Sequence, residues 1–99
     1  MVIGALTVVL RLHHTQSLKD KRGVVKRILE RTRETFHIAV AEVADHDAIG
    51  RAKLAFVAVG NDGHVMNSLM DRVFDYVEGL QLAEVADSSI DVFTADGDD

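Results

Sequence analysis

The chain has 99 residues, 47% of them apolar and 27% charged, and carries a net charge of −5 at neutral pH. This length supports one hydrophobic core and not two, and the balance is that of a globular domain, not a disordered segment. With no cysteine, a disulfide scaffold, a thiol nucleophile and a thiolate metal site are excluded, and no apolar run is long enough to cross a bilayer as a helix.

Residues 2–12, VIGALTVVLRL, are rich in Val, Ile and Leu and alternate only weakly. That pattern predicts a central strand buried on both faces. The stretch has no basic leader and Arg11 interrupts it at once, so it does not read as a signal peptide. His13 to Gln16 form a short loop. Ser17 is an N-cap residue with Asp20 three positions on, where an acid can reach back to a cap amide. A helix follows to about Thr35, with Leu18, Val25, Ile28, Leu29, Thr32 and Phe36 on one face. Gly23 weakens it by about 1 kcal/mol relative to Ala. His37 to Ala44 reads as a second strand, residues 44–50 as a polar turn, and Ala52 to Gly60 as a third strand. Asn61, Asp62 and Gly63 turn the chain and cap a second helix. Val65, Leu69, Val73 and Val77 mark its buried stripe, with Met66, Met70 and Leu80 beside it, and Gly79 is placed to end it. Residues 82–93 form the last strand, anchored by Val85, Ile90, Val92 and Phe93. Residues 1–94 make a single domain, and 95–99 an acidic tail expected to fray.

The order β-α-β-β-α-β predicts an α+β sandwich of the ferredoxin-like type: a four-stranded antiparallel sheet, order 4-1-3-2, with both helices on one face. The loop entering helix one and the hairpin between strands two and three then lie at the same end of the sheet. His13, His14 and the first turn of that helix are expected to approach Asp45, His46, Asp47 and Arg51.

Charge is segregated along the chain. Residues 1–35 hold eight cations against three acids, and residues 36–99 three cations against thirteen acids. A basic face of this kind binds phosphate locally even on an acidic protein. Its focus is the start of helix one. Cations are disfavoured at a helix N-terminus, yet Lys19, Lys21 and Arg22 follow the Ser17 cap. Amides, dipole and cations converge there on one spot suited to an anion. Lys19, Arg22, Lys26 and Arg33 run along one flank as a ridge able to follow a phosphate backbone. The competing arrangement is neutralisation of these cations by Glu42, Asp45 or Asp47.

Several motifs occur in a fixed order. The segment S-L-K-D-K-R at Ser17–Arg22 comes first. It is followed by Ala41-Glu42-Val43, Asp47 and Arg51-Ala52, then by Asn61-Asp62 and Asp71-Arg72-Val73. Together they resemble the YlxP-like family of small bacterial domains, in which a serine-leucine-lysine-x-lysine-arginine stretch opens the first helix. Ala44 stands where the family often has an acid, and Ile49-Gly50 where it often has an aromatic and an amide. The resemblance implies a ferredoxin-like fold and no assigned enzyme activity. The family's genes tend to sit among those for translation and ribosome maturation, which implies contact with RNA or the ribosome.

Other chemistry finds little support. Adjacent His13 and His14 point to opposite sides of an extended segment, and no short metal motif such as H-E-x-x-H is present. There is no nucleophile elbow, P-loop or dinucleotide fingerprint. Base stacking on the sheet is disfavoured, because strand one has no aromatic and Phe56 of strand three belongs to the core. The expectation is a cytoplasmic, non-enzymatic domain without cofactor. It binds RNA or a ribosome-associated partner through Ser17, Lys19, Lys21, Arg22, Lys26 and Arg33. The alternative is a self-associating protein-interaction or small-molecule-sensing module. Alternate residues of strands one and three leave a largely apolar open sheet face, from which a homodimer is expected.

Overall fold

Ten residues, Val2–Arg11, form strand β1. In a computed structural model that describes residues 1–96, β1 lies inside a four-stranded antiparallel sheet. The other strands are β2 (Ala39–Ala44), β3 (Arg51–Gly60) and β4 (Glu84–Thr94), in the order β2-β3-β1-β4. This is the expected order read from the opposite edge. Helices α1 (Leu18–Phe36) and α2 (Gly63–Leu80) cover one face. α1 packs on β2 and α2 on β1, β3 and β4.

The core lies between the helices and that face. Gly4, Leu6, Val8 and Leu10 of β1 alternate inward and meet Leu54 and Phe56 of β3. Val25 and Ile28 of α1 and Met70, Val73 and Val77 of α2 close over them. The expectation that β1 is buried on both faces is corrected. Ile3, Ala5, Thr7 and Val9 are only half-buried, because none of the described residues covers the second face.

Element ends follow local chemistry. Ser17 caps α1 by accepting from the Asp20 amide at 3.1 Å, and Asp20 Oδ2 accepts from the Gln16 amide at 3.2 Å. The acid therefore reaches one residue further back than a standard capping box. His37 adopts φ 55° and donates its amide to Arg33 O, so it ends α1 instead of beginning a strand, and β2 starts at Ala39. Asp62 caps α2, its Oδ1 accepting from the His64 and Val65 amides. The α2 stripe is Met66, Met70, Val73 and Val77, while Val65 is 56% exposed. Gly79 lies inside the helix and Gln81, at φ 53°, is the cap. Gly79 can enter the left-handed region freely, but the helix continues one residue further than the nearest glycine. The expected tail begins with Ala95, whose amide donates to Met1 O at 2.9 Å. Beyond Asp96 it lies outside the described residues.

Candidate anion-binding face of the first helix

The first turn of α1 divides its cations among three environments. Lys21 follows the inner face of the helix, four and seven residues before Val25 and Ile28, and is 1% exposed. Its stem is buried and its ammonium reaches the β2–β3 turn. There Nζ donates to Asp45 O and to His46 O (3.5 Å) and stands 3.1 Å from Glu42 Oε2. Glu42 Oε2 is buried without an aligned hydrogen bond, so its contact with Lys21 is Coulombic. Asp45, at φ 63°, turns the chain out of β2 and leaves its carbonyl facing Lys21. Its carboxylate takes Arg51 at 2.9 Å. Neutralisation by Glu42 thus occurs at one cation, Lys21, and its ammonium does not face solvent.

Arg22, Lys26 and Arg33 are exposed on the flank of α1 that faces β2. With Leu29, Val40 and Glu42 they line an open groove of about 340 Å³. The helical rise puts Lys26 about 6 Å beyond Arg22, and Arg33 about 10.5 Å beyond Lys26. Lys26 approaches Glu30 at 4.0 Å, with both side chains in water, a contact of little energetic weight. Among the described residues, Arg22 and Arg33 form no ion pair.

Lys19 looks into a different space, an open cleft of about 820 Å³ between the β1–α1 loop and the start of β4. Arg11, His13, His14, Arg27 and Glu84 share it. The expected approach of His13 to the β2–β3 turn is corrected, since its Nε2 meets Glu84 instead. Antiparallel pairing of β1 with β4 brings Glu84 opposite Arg11, at the edge where the loop begins. The loop reaches the hairpin through its backbone and Thr15: Leu12 N donates to Gly50 O, and Thr15 Oγ1 to Ile49 O. The acid of the β4 edge was the legible signal for His13, and it is read only once the sheet is assembled.

The predicted residues therefore separate. Ser17 is used by the cap, Lys21 by the turn, and Lys19 lines the cleft. Arg22, Lys26 and Arg33 are brought together in the groove. Of the exposed acids Glu30 lines this groove beside Lys26, while a larger group collects elsewhere, at Asp71, Asp75 and Glu78 on α2 and at Asp87 and Asp91 on β4. β2 and β4 are opposite edges of the sheet, so the charge asymmetry of the sequence becomes one across the molecule. Among the described residues, no three His, Asp or Glu side chains are grouped to hold a metal ion, and no helix is long and apolar enough to cross a membrane.

The ferredoxin-like architecture is shared with a de novo designed protein of ferredoxin fold, which aligns with a TM-score of 0.57 at 14% identity over 100% of this chain and 90% of the other. A candidate antibiotic biosynthesis monooxygenase from Deinococcus radiodurans aligns with a TM-score of 0.50 at 20% identity, covering 99% of this chain and 95% of the other. At these identities the likeness is one of fold alone. The protein YlxP of Bacillus subtilis (strain 168), described as uncharacterized, is 28% identical over 69 residues, or 70% of this chain and 75% of that protein. Residues 3–90 match the family described as "Protein of unknown function (DUF503)", and the chain belongs to that family.

Proposed function

We propose that this domain binds RNA through the phosphate backbone, along the groove between α1 and β2, and catalyses no reaction. One observation carries the reading: Arg22, Lys26 and Arg33 stand exposed along one flank of a helix, over about 16 Å, on the side of the molecule away from the α2 and β4 acids. Their spacing suits a run of phosphates. The guanidinium forks of Arg22 and Arg33 suit bidentate phosphate contact. Such contacts position a nucleic acid without reading its bases. Stacking on the sheet has no support, since Phe56 is fully buried and, among the described residues, Phe93 is the lone aromatic on the open face.

The test is binding to a structured RNA across a salt series. The wild type should lose affinity as salt rises, since each phosphate contact releases about 0.7 to 0.9 of a counterion. Arg22→Ala/Lys26→Ala/Arg33→Ala should weaken binding to RNAs of different sequence alike, and lower the slope by about 2 to 3. No affinity for RNA or ribosomes at low salt in the wild type would overturn the reading. An unchanged slope in the triple variant would place the contacts elsewhere.

A further inference from the structure

The sheet face opposite the helices is largely apolar and carries a row whose flanking charges match each other. Registers of the three strands put Val59, Ile3 and Phe93 in one row, Val57, Ala5 and Asp91 in the next, then Ala55, Thr7 and Ser89, then Lys53, Val9 and Asp87. Val59 is 63% exposed and Phe93 50%. Cation and acid flank the central strand in the fourth row, Lys53 on β3 and Asp87 on β4. Because β1 lies between them, the two backbones stand about 9.6 Å apart. Among the described residues, neither forms an ion pair within the chain.

We propose that a second copy of this chain covers this face, with the twofold axis running along β1. A twofold in that direction exchanges the two sides of β1 and preserves the rows. Lys53 of each copy then faces Asp87 of the other, and Val59 faces Phe93, with the small Ala5, Ala55 and Thr7 at the centre. A twofold across the strands at Thr7 instead sets Asp87 against Asp91. Like charges facing one another are disfavoured, so the charge pattern selects the first axis. Stacked sheets pack about 10 Å apart with strands aligned to within about 30°. That rotation displaces a row next to Thr7 by about 3 Å, less than one strand spacing, so Lys53 remains within reach of Asp87. Three strands of nine residues and the six residues of β2, at about 4.8 Å by about 3.4 Å each, give roughly 540 Å² per copy. The total of roughly 1,100 Å² clears the roughly 1,000 Å² expected of a specific interface. The axis leaves the α1–β2 groove on the outside of each copy, so the pairing is independent of RNA contact.

Sedimentation at micromolar concentration tests it, at moderate salt and without RNA. The wild type should be a dimer. Lys53→Asp and Asp87→Lys should each raise the dissociation constant at least tenfold, and Lys53→Asp/Asp87→Lys should restore it to near the wild-type value. Both side chains lie outside the core, and circular dichroism checks that each variant keeps its sheet. A monomeric wild type overturns the proposal. Dimerisation unaffected by the single reversals overturns it, as does failure of the double reversal to recover what they lost.

Discussion

Lys21 is the residue on which the first turn of α1 depends. Its ammonium lies out of water against two backbone carbonyls and Glu42, tying the helix to the β2–β3 turn. A buried charge is tolerated when its partners are fixed, and costly when one is removed. Lys21→Met keeps the volume and the apolar stem. It leaves the Glu42 carboxylate, 18% exposed, and the carbonyls of Asp45 and His46 without their donor. Stability should fall by about 2 to 3 kcal/mol, below the full cost of an unpaired buried charge because Glu42 retains some solvent. Urea unfolding measures this. Lys21→Met/Glu42→Gln should recover part of the loss, since the unpaired charge is then gone. Either result separates Lys21 from Arg22, one position along the chain, whose replacement should cost RNA affinity and little stability. The position of Lys21 on the apolar stripe is visible in the spacing to Val25 and Ile28. Glu42 and Asp45 are also within the reach that the topology predicts, but that Lys21 takes the backbone carbonyls of Asp45 and His46 beside the Glu42 carboxylate, and not the Asp45 carboxylate, is set only once β2 has paired with β3.

Elements are placed by close approach as much as by periodicity. α2 crosses β1 at Gly4, where an added Cβ would lie 3.3 Å from Met66 Cβ and 3.3 Å from Met70 Cγ. The side-chain-free position on the strand lets the helix sit down on the sheet, and the flexible methionines fill the space around it. Gly4→Val supplies a residue with better strand propensity. It should nevertheless destabilise the fold by about 1 to 3 kcal/mol, because β1 and α2 would have to separate. A thermal melt checks the sign: a rise in midpoint would mean that α2 does not approach β1 this closely. The element order and the antiparallel sheet were legible because each segment carries its own period and its own cap, Ser17 for α1 and Asp62 for α2. Two boundaries were not. His37 and Gln81 adopt left-handed backbone in place of the glycine or asparagine usually found there, and neither residue type advertises it. The shift of the α2 stripe to Met66 has a related cause. Val65 is the more β-branched candidate, but the helix presents the face that meets Gly4 and Gly60.

At the scale of the whole molecule, the positive groove and the acidic α2–β4 side act on a nucleic acid in different ways. Charges in the groove contact phosphate and set how many counterions are released. Charges across the molecule act through the field alone, which governs encounter and is screened over about 10 Å at 0.1 M salt. Sequence composition reports the sum, −5, and by itself argues against nucleic acid. Only the fold shows that Asp71, Asp75 and Glu78 lie on the helix packed towards β4, while Arg22, Lys26 and Arg33 lie beside β2. Asp71→Asn/Asp75→Asn/Glu78→Gln would change the net charge by three, from −5 to about −2, without touching the groove. RNA association should accelerate by up to about tenfold at low salt. The gain should vanish as screening increases, and the dissociation rate should hardly move. The groove variant has the opposite signature, with faster dissociation and fewer ions released. Stopped-flow binding at two salt concentrations distinguishes them. If neutralising the α2 acids changed dissociation as strongly as association, RNA would be touching α2, and the binding face would have to include the cleft beside Lys19 and Arg27.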